Sequence, residues 1–315
     1  LAGLLFPHEE FMLSYSKDQR KFVLLMLLPA FGMTAAFFLW PTIYNIKNSF
    51  TDLSLLGLRE GGKWVGLDNY IALFNDSDFK KVVFNTLFWL TFVSVSIRLV
   101  LGFAIALFIE SQLVRRLRLT VPLRMAALLP WATPDIVAVT VWKQIFDGRT
   151  GVINNKLLEW GFIDQPIVFL GDPSYVWPAV ITIIVWNGLP IIVLTMAAAL
   201  QTVPRDLYEA ADIDGANGWI KFWHVTFPHA LPALAVLGLL TTIWTFNNFI
   251  YVWMSTSAGP GTFSNVLATE VYLQAFVNFK LGLSSAIGTF MAALAMVFGV
   301  IYFRYVVTKR FGGLM

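Results

Sequence analysis

The sequence predicts an all-α membrane protein with six transmembrane helices. Three observations carry that expectation. The 315-residue chain is 57% hydrophobic. Only 13% of it is charged, against about 25% in ordinary soluble domains. And six apolar stretches (22–46, 83–109, 121–145, 177–200, 230–253 and 284–307) are each long enough for a hydrocarbon layer about 30 Å thick, which takes roughly 20 helical residues.

Taken in order, residues 1–21 carry Glu9, Glu10 and Asp18 before the first apolar run, so span 22–46 reads as an uncleaved anchor rather than a signal peptide. The polar segment 47–82 holds Gly61-Gly62-Lys63-Trp64-Val65-Gly66-Leu67-Asp68-Asn69-Tyr70, a turn-rich stretch closing into a short helix. The core 83–308 follows. Its second span carries Arg98, and its third carries Asp135 and Lys143 toward one end. Segment 147–175 predicts a short helix to Trp160 and then turns at Asp164-Gln165-Pro166 and Gly171-Asp172-Pro173. In the fourth span Asn187-Gly188-Leu189-Pro190 combines a polar side chain, a flexible residue and a kink. That combination predicts an interrupted helix of the type that faces substrate pathways. Between the last two spans, Ala258-Gly259-Pro260-Gly261 precedes an amphipathic stretch through Tyr272 and Phe276 with re-entrant character. Residues 309–315 form a tail. The remaining intraspan prolines, Pro29, Pro41, Pro130, Pro134 and Pro232, read as kinks whose freed carbonyls neighbouring helices satisfy.

An even number of spans leaves both termini on one side. With that side cytoplasmic, twelve Lys and Arg residues face the cytoplasm and nine face out. The cluster Arg115-Arg116-Arg118, in a short loop, gives the clearest vote for cytoplasmic termini. Segment 47–82 is then extracytoplasmic and the loop 204–228 cytoplasmic.

Several classes are excluded. There is no cysteine and the net charge is only +3, so neither disulfide or thiol chemistry nor nucleic-acid binding is indicated. No phosphate-binding Gly-x-x-x-x-Gly-Lys-Ser/Thr run occurs, and Gly61-Gly62-Lys63-Trp64 lacks the hydroxyl that would hold Mg²⁺. His224 and His229 stand five apart, not the four of a helical metal pair, and His8 is isolated. No catalytic residue, metal site or bound cofactor is expected on this chain.

The loop 204–228 is the least membrane-like part of the core. Pro204 suits the first turn of a helix, and Asp206 places negative charge at its positive end. Glu209, Ala210 and Ala211 continue it with a smooth face. Gly215 predicts a left-handed stop, and Asn217 a cap for a second short helix carrying Trp219, Ile220, Phe222 and Trp223. So short a segment cannot bury all those rings, which leaves apolar surface for a partner or for lipid headgroups.

In the fifth span Thr241, Thr245 and Asn248 fall at i, i+4 and i+7 on one helical face, flanked by Trp244 and Tyr251. An aromatic plane beside hydroxyl and amide groups suits a sugar. An interhelical polar seam fits the same residues equally well. Arg98 likewise reads either as a structural partner of a carbonyl or acid, or as a source of positive potential for an anionic substrate.

The run Glu209-Ala210-Ala211, then Gly215 and Pro228, resembles the EAA loop of ATP-binding-cassette importer permeases. The similarity covers nearly the whole chain. Trp64 to Tyr70, Asn85-Thr86, Leu200 to Pro204, Phe246 to Phe249, Gly259-Pro260 and Ser284-Ser285-Ala286 resemble the carbohydrate-importer branch, of maltose and glycerol-phosphate type. Phe227 and Val225 stand where Leu and Ile are commoner. The resemblance implies a type I ABC importer permease fold in the bacterial inner membrane. It implies a homologous second permease, two cytoplasmic ATPase subunits that bind ATP and Mg²⁺, and an extracytoplasmic solute-binding protein. It makes Glu209, Ala210, Ala211, Gly215, Trp219 and Phe222 the element that couples to the ATPase. It carries substrate contacts to Gly188, Ile191, Thr241, Trp244, Thr245 and Asn248, to which Trp186, Asn187, Tyr251 and Arg98 are added as neighbours on physical grounds. Ile191 stands at a tyrosine position of the family, which predicts a ligand other than maltodextrin. The alternative is an ion-coupled secondary transporter, which needs carboxylates inside the membrane; Asp135 is the one candidate.

Overall fold

The computed structural model describes residues 17–302 and Arg304. The expected ends, the 1–21 segment for the most part and the 309–315 tail, lie outside those residues. The principal helices are α1 (Lys21–Asn48), α2 (Ser77–Ile109), α3 (Thr120–Ala132), α4 (Asp135–Ile145), α5 (Val176–Gln201), α6 (Arg205–Ile213), α7 (Gly218–Phe246), α8 (Ile250–Thr256), α9 (Leu267–Val277) and α10 (Leu281–Tyr302). Helices α1, α2, α5, α7 and α10 are each long and apolar enough to cross a membrane, and α3 with α4 supplies a sixth crossing if the pair is one bent span.

Helix α5 is the central element, as its all-round apolar sequence requires. Val176, Val180, Ile183 and Ile184 are buried against Leu90 of α2, Val139 of α4 and Val252 of α8. Toward the other end Ile192, Met196 and Ala197 meet Phe103 and Ala106 of α2 and Ala230 and Leu237 of α7. A third cluster joins Phe246, Leu267, Ile287 and Met291 to Leu73, Phe79 and Val82. Helix α1 stands apart: none of its apolar window is buried within the chain. It is tethered by Asn45, whose amide donates to Ser285 O and Thr289 Oγ1 of α10, both at 3.2 Å.

The segment after α1 folds back on itself as its turn signals predict. Asn69 donates to Ser49 O at 2.9 Å and Thr51 O at 2.8 Å. Tyr70 donates to Ser49 Oγ at 2.7 Å, and Phe50 stacks on Trp64 at 5.3 Å. The short helix Asp68–Asn75 closes it. Between α4 and Val152–Glu159, a second predicted short helix, Asp147 accepts from the N–H groups of Thr150 and Arg149. Those bonds hold its carboxyl below the usual carboxylate range.

Three expectations about the spans need correction. The third does not run straight from 121 to 145: α3 and α4 meet at 96°. Pro134 has no N–H, and it pushes Thr133 before it into an extended conformation with ψ 121°. The fourth is not interrupted, because α5 stays helical through Gly188 and Pro190. The fifth begins and ends earlier than 230–253. Helix α7 starts at Gly218, passes through a π turn at Phe222–Thr226, and stops at Phe246. Asn248 then lies two residues before α8, its Oδ1 accepting the Tyr251 N–H at 3.1 Å.

Candidate functional site

At bilayer depth α2, α5 and α7 meet around Arg98. The residue is 7% exposed. Its Nη2 donates to Thr245 Oγ1, and its Nε has no partner. Gly188 makes room for it: a Cβ there would lie 2.5 Å from Arg98 Nη1 and 3.0 Å from Cδ. The glycine that was expected to break α5 instead admits the arginine. None of the ion pairs among the described residues includes Arg98. A guanidinium at this depth costs roughly 2.5–3.5 kcal/mol on insertion scales.

The threonine face is a seam. Thr241 and Thr245 are 0% and 3% exposed. Their hydroxyls turn onto their own helix, Thr245 donating to Thr241 O and Thr241 to Leu237 O, both at 2.6 Å. With its hydrogen so used, the Thr245 oxygen accepts from Arg98. Trp244 lies off that seam, 54% exposed. Asn248 does not share the face at all, because the helix has ended two residues before it. Of the ten residues expected at the substrate site, the structure joins Arg98, Gly188 and Thr245 directly, with Thr241 one turn away. Ile191 packs into the apolar cluster around Phe103, and Trp186 sets its ring edge-on to Trp142 at 5.9 Å.

Asn187 and Tyr251 serve the two broken spans. The Asn187 amide donates to Pro130 O at 3.2 Å and Thr133 O at 3.4 Å, which answers carbonyls at the α3–α4 bend. Tyr251 donates to Asp135 Oδ1 at 2.8 Å, tying α8 to α4. Lys143 adds a bond from Nζ to Met254 O at 3.2 Å.

The 204–228 loop is built as its caps predict. Gly215 adopts φ +74°, which L side chains rarely take. Asn217 Oδ1 accepts the Ile220 N–H at 3.0 Å. Pro204 sits at the cap position, one residue before the helix. Tyr208 bonds Thr226 Oγ1 at 2.9 Å, and Lys221 pairs with Asp212. Phe222 reaches inward to the rings of Phe103 and Phe227 at 6.0 Å. The rest of the apolar surface is bare: Ile213 is 88% and Trp219 70% exposed. Glu209 and Ala210 are exposed beside them, and Ala211 is half-buried. Glu209 also lines an open cleft of about 980 Å³ between α6 and the loop that joins α2 to α3.

Two sets of polar residues were not singled out from sequence as ties. The Glu110 side chain, 7% exposed, pairs with both Arg115 at 2.8 Å and Arg124. The Asn85 amide donates to Thr262 O, Phe263 O and Asn265 O at 3.1, 3.1 and 3.0 Å. Charge counting marked only the side of the arginines, and Asn85 reaches residues about 180 positions away.

Residues 19–311 match a family described as binding-protein-dependent transport system inner membrane component. The chain is 32% identical over 291 residues to the sulfoquinovosyl glycerol transport system permease protein of Agrobacterium fabrum, covering 92% of each chain. It is 31% identical over 284 residues to the trehalose/maltose transport system permease protein of Thermococcus litoralis, covering 89% of this chain and 92% of that one. In fold it is similar to a chain of a bacterial ABC transporter involved in the import of the acidic polysaccharide alginate, with a TM-score of 0.73 at 24% identity, covering 91% and 96%.

Proposed function

We propose that this chain, which belongs to the family of binding-protein-dependent transport system inner membrane components, is the membrane-spanning half-channel of an ABC importer for sugars or sugar derivatives. It is not itself the ATPase. The observation that carries the powering half of this reading is the α6–α7 corner. A glycine at φ +74°, a backbone conformation that L side chains disfavour, and a capping asparagine fix the turn between two helices, yet the corner leaves Ile213 and Trp219 uncovered. A helix that presents Glu209, Ala210 and Ala211 beside bare apolar surface suits a groove on a separate subunit.

In this reading Glu209, Ala210, Ala211, Gly215, Trp219 and Phe222 form the coupling element. ATP and Mg²⁺ belong to two ATPase subunits on the cytoplasmic side, which is the side of the α6–α7 corner and of both termini. A second, homologous permease completes the channel, and a solute-binding protein delivers cargo at the end built from Asn69, Tyr70 and Asn85. The cargo class follows from the relatives named for sulfoquinovosyl glycerol and trehalose/maltose transport. Cargo passes along the faces of α5 and α7 through alternating access, with Arg98, Gly188 and Thr245 at its narrow depth.

The test is co-purification. The wild-type chain, extracted from its native membrane, brings an ATPase subunit through affinity purification. Gly215→Val forces a β-branched residue into a conformation that costs roughly 1–2 kcal/mol even for ordinary side chains. Recovery of the ATPase then falls by about tenfold, one decade per 1.4 kcal/mol. Unchanged recovery would remove the corner from the interface.

A further inference from the structure

We propose that the cargo carries a negative group, a carboxylate, sulfonate or phosphate on a sugar, and that Arg98 is the residue that selects it. This rests on the importer reading above and narrows it.

The argument starts from a charge without a counter-charge. A guanidinium does not lose its proton in proteins, so the positive charge on Arg98 is permanent. No Asp or Glu occurs in α3, α5, α7, α8 or α10. The acid of α4, Asp135, is engaged by the Tyr251 hydroxyl at 2.8 Å. Around the guanidinium the structure supplies one neutral acceptor, Thr245 Oγ1, and leaves Nε without a partner. Buried charges in proteins are otherwise paired.

A filler would not need the charge. Arg98 occupies space that Gly188 leaves open, and a methionine or glutamine could occupy the same space without it. Three helices converge on this one group, and they include the two whose faces line the pathway in the reading above. A fixed cation in a low-dielectric wall, held on one side by Thr245 and with donor capacity to spare, favours a passing anion. Its planar fork matches the oxygens of a carboxylate, sulfonate or phosphate.

The complete transporter, this chain with its second permease, ATPase and binding protein, is reconstituted in vesicles and given matched labelled probes. These are glucosylglycerol and its two acidic counterparts, with a carboxylate or a sulfonate at carbon 6. The readout is the ratio of acidic to neutral uptake, measured for wild type, Arg98→Gln and Arg98→Lys with the same binding protein. Wild type prefers an acidic probe. Arg98→Gln lowers the ratio by about tenfold or more, and Arg98→Lys, which keeps the charge but not the fork, recovers part of it. Equal or better uptake of the neutral probe by wild type overturns the proposal while leaving the sugar importer intact. So does an Arg98→Gln variant that loses the acidic and neutral probes in the same proportion, the result expected if an acid of the second permease is the partner. If Arg98→Gln does not assemble, the wild-type preference and the Arg98→Lys ratio decide. Uptake of none of the three probes, with uptake of a solute unrelated to sugars, sinks the sugar-importer reading itself.

Discussion

The α6–α7 corner and the Arg98 seam are opposites. At the corner nearly every stabilising contact is local: Asn217 caps a helix three residues away, Gly215 turns the chain, Lys221 pairs with Asp212. Its side chains end in open surface, with Ile213 88% and Trp219 70% exposed. In the seam the contacts that join helices are between residues far apart in sequence, Arg98 with Thr245 and Asn187 with Pro130, and the polar side chains that make them are buried. A corner that fixes its own shape and leaves its apolar face free is suited to being pushed. A seam that ties three helices through polar groups is suited to registering how those helices move.

The difference can be broken from the seam side first. Asn187→Ala removes both bonds to the α3–α4 bend; Pro130 O keeps the Thr133 N–H at 3.2 Å, and Thr133 O loses the amide donor. Each such bond contributes about 0.5–1.5 kcal/mol. The midpoint of denaturant-induced unfolding of the purified chain, followed by tryptophan fluorescence, falls accordingly. No shift would mean that the bend holds without α5. The smaller effect belongs to the corner. Asn217→Ala removes one cap worth about 1 kcal/mol, and because the cap is local the loss stays local. Amide hydrogen exchange at Ile220 quickens by about fivefold, while the denaturation midpoint stays within error. A global loss of stability from Asn217→Ala, or none from Asn187→Ala, would erase the contrast.

The same contrast explains what could be read from the sequence. Gly215, Asn217 and Asp206 announce the corner because capping and left-handed turns are decided by neighbouring residues. The spans are visible because hydrophobic length is a local property. The seam was legible only as a list of residue types. Thr241 and Thr245 could be placed on one face, but the period could not show that Asn247 ends the helix and carries Asn248 off it. Proline positions showed where breaks could occur and not which would be realised. Pro134 bends its span by 96° because Thr133 is extended, with Asn187 across the gap to take the freed carbonyls. Pro190 leaves α5 whole, and it is buried there beside Ile192 and Val193. Glu110, whose two arginines lie in the next loop and the next helix, shows the same limit: sequence gave the charges, and only the fold pairs them.

The central claim is that motion at the corner, driven by a separate ATPase, moves cargo past the seam. The direct measurement is labelled-sugar uptake by vesicles holding the complete transporter, with ATP inside or a proton gradient alone. The account predicts uptake that requires ATP, persists with a protonophore, and is lost when Gly215 is replaced by valine. Uptake that continues without ATP, stops with the protonophore and depends on Asp135 would contradict it, and would make this chain an ion-coupled carrier.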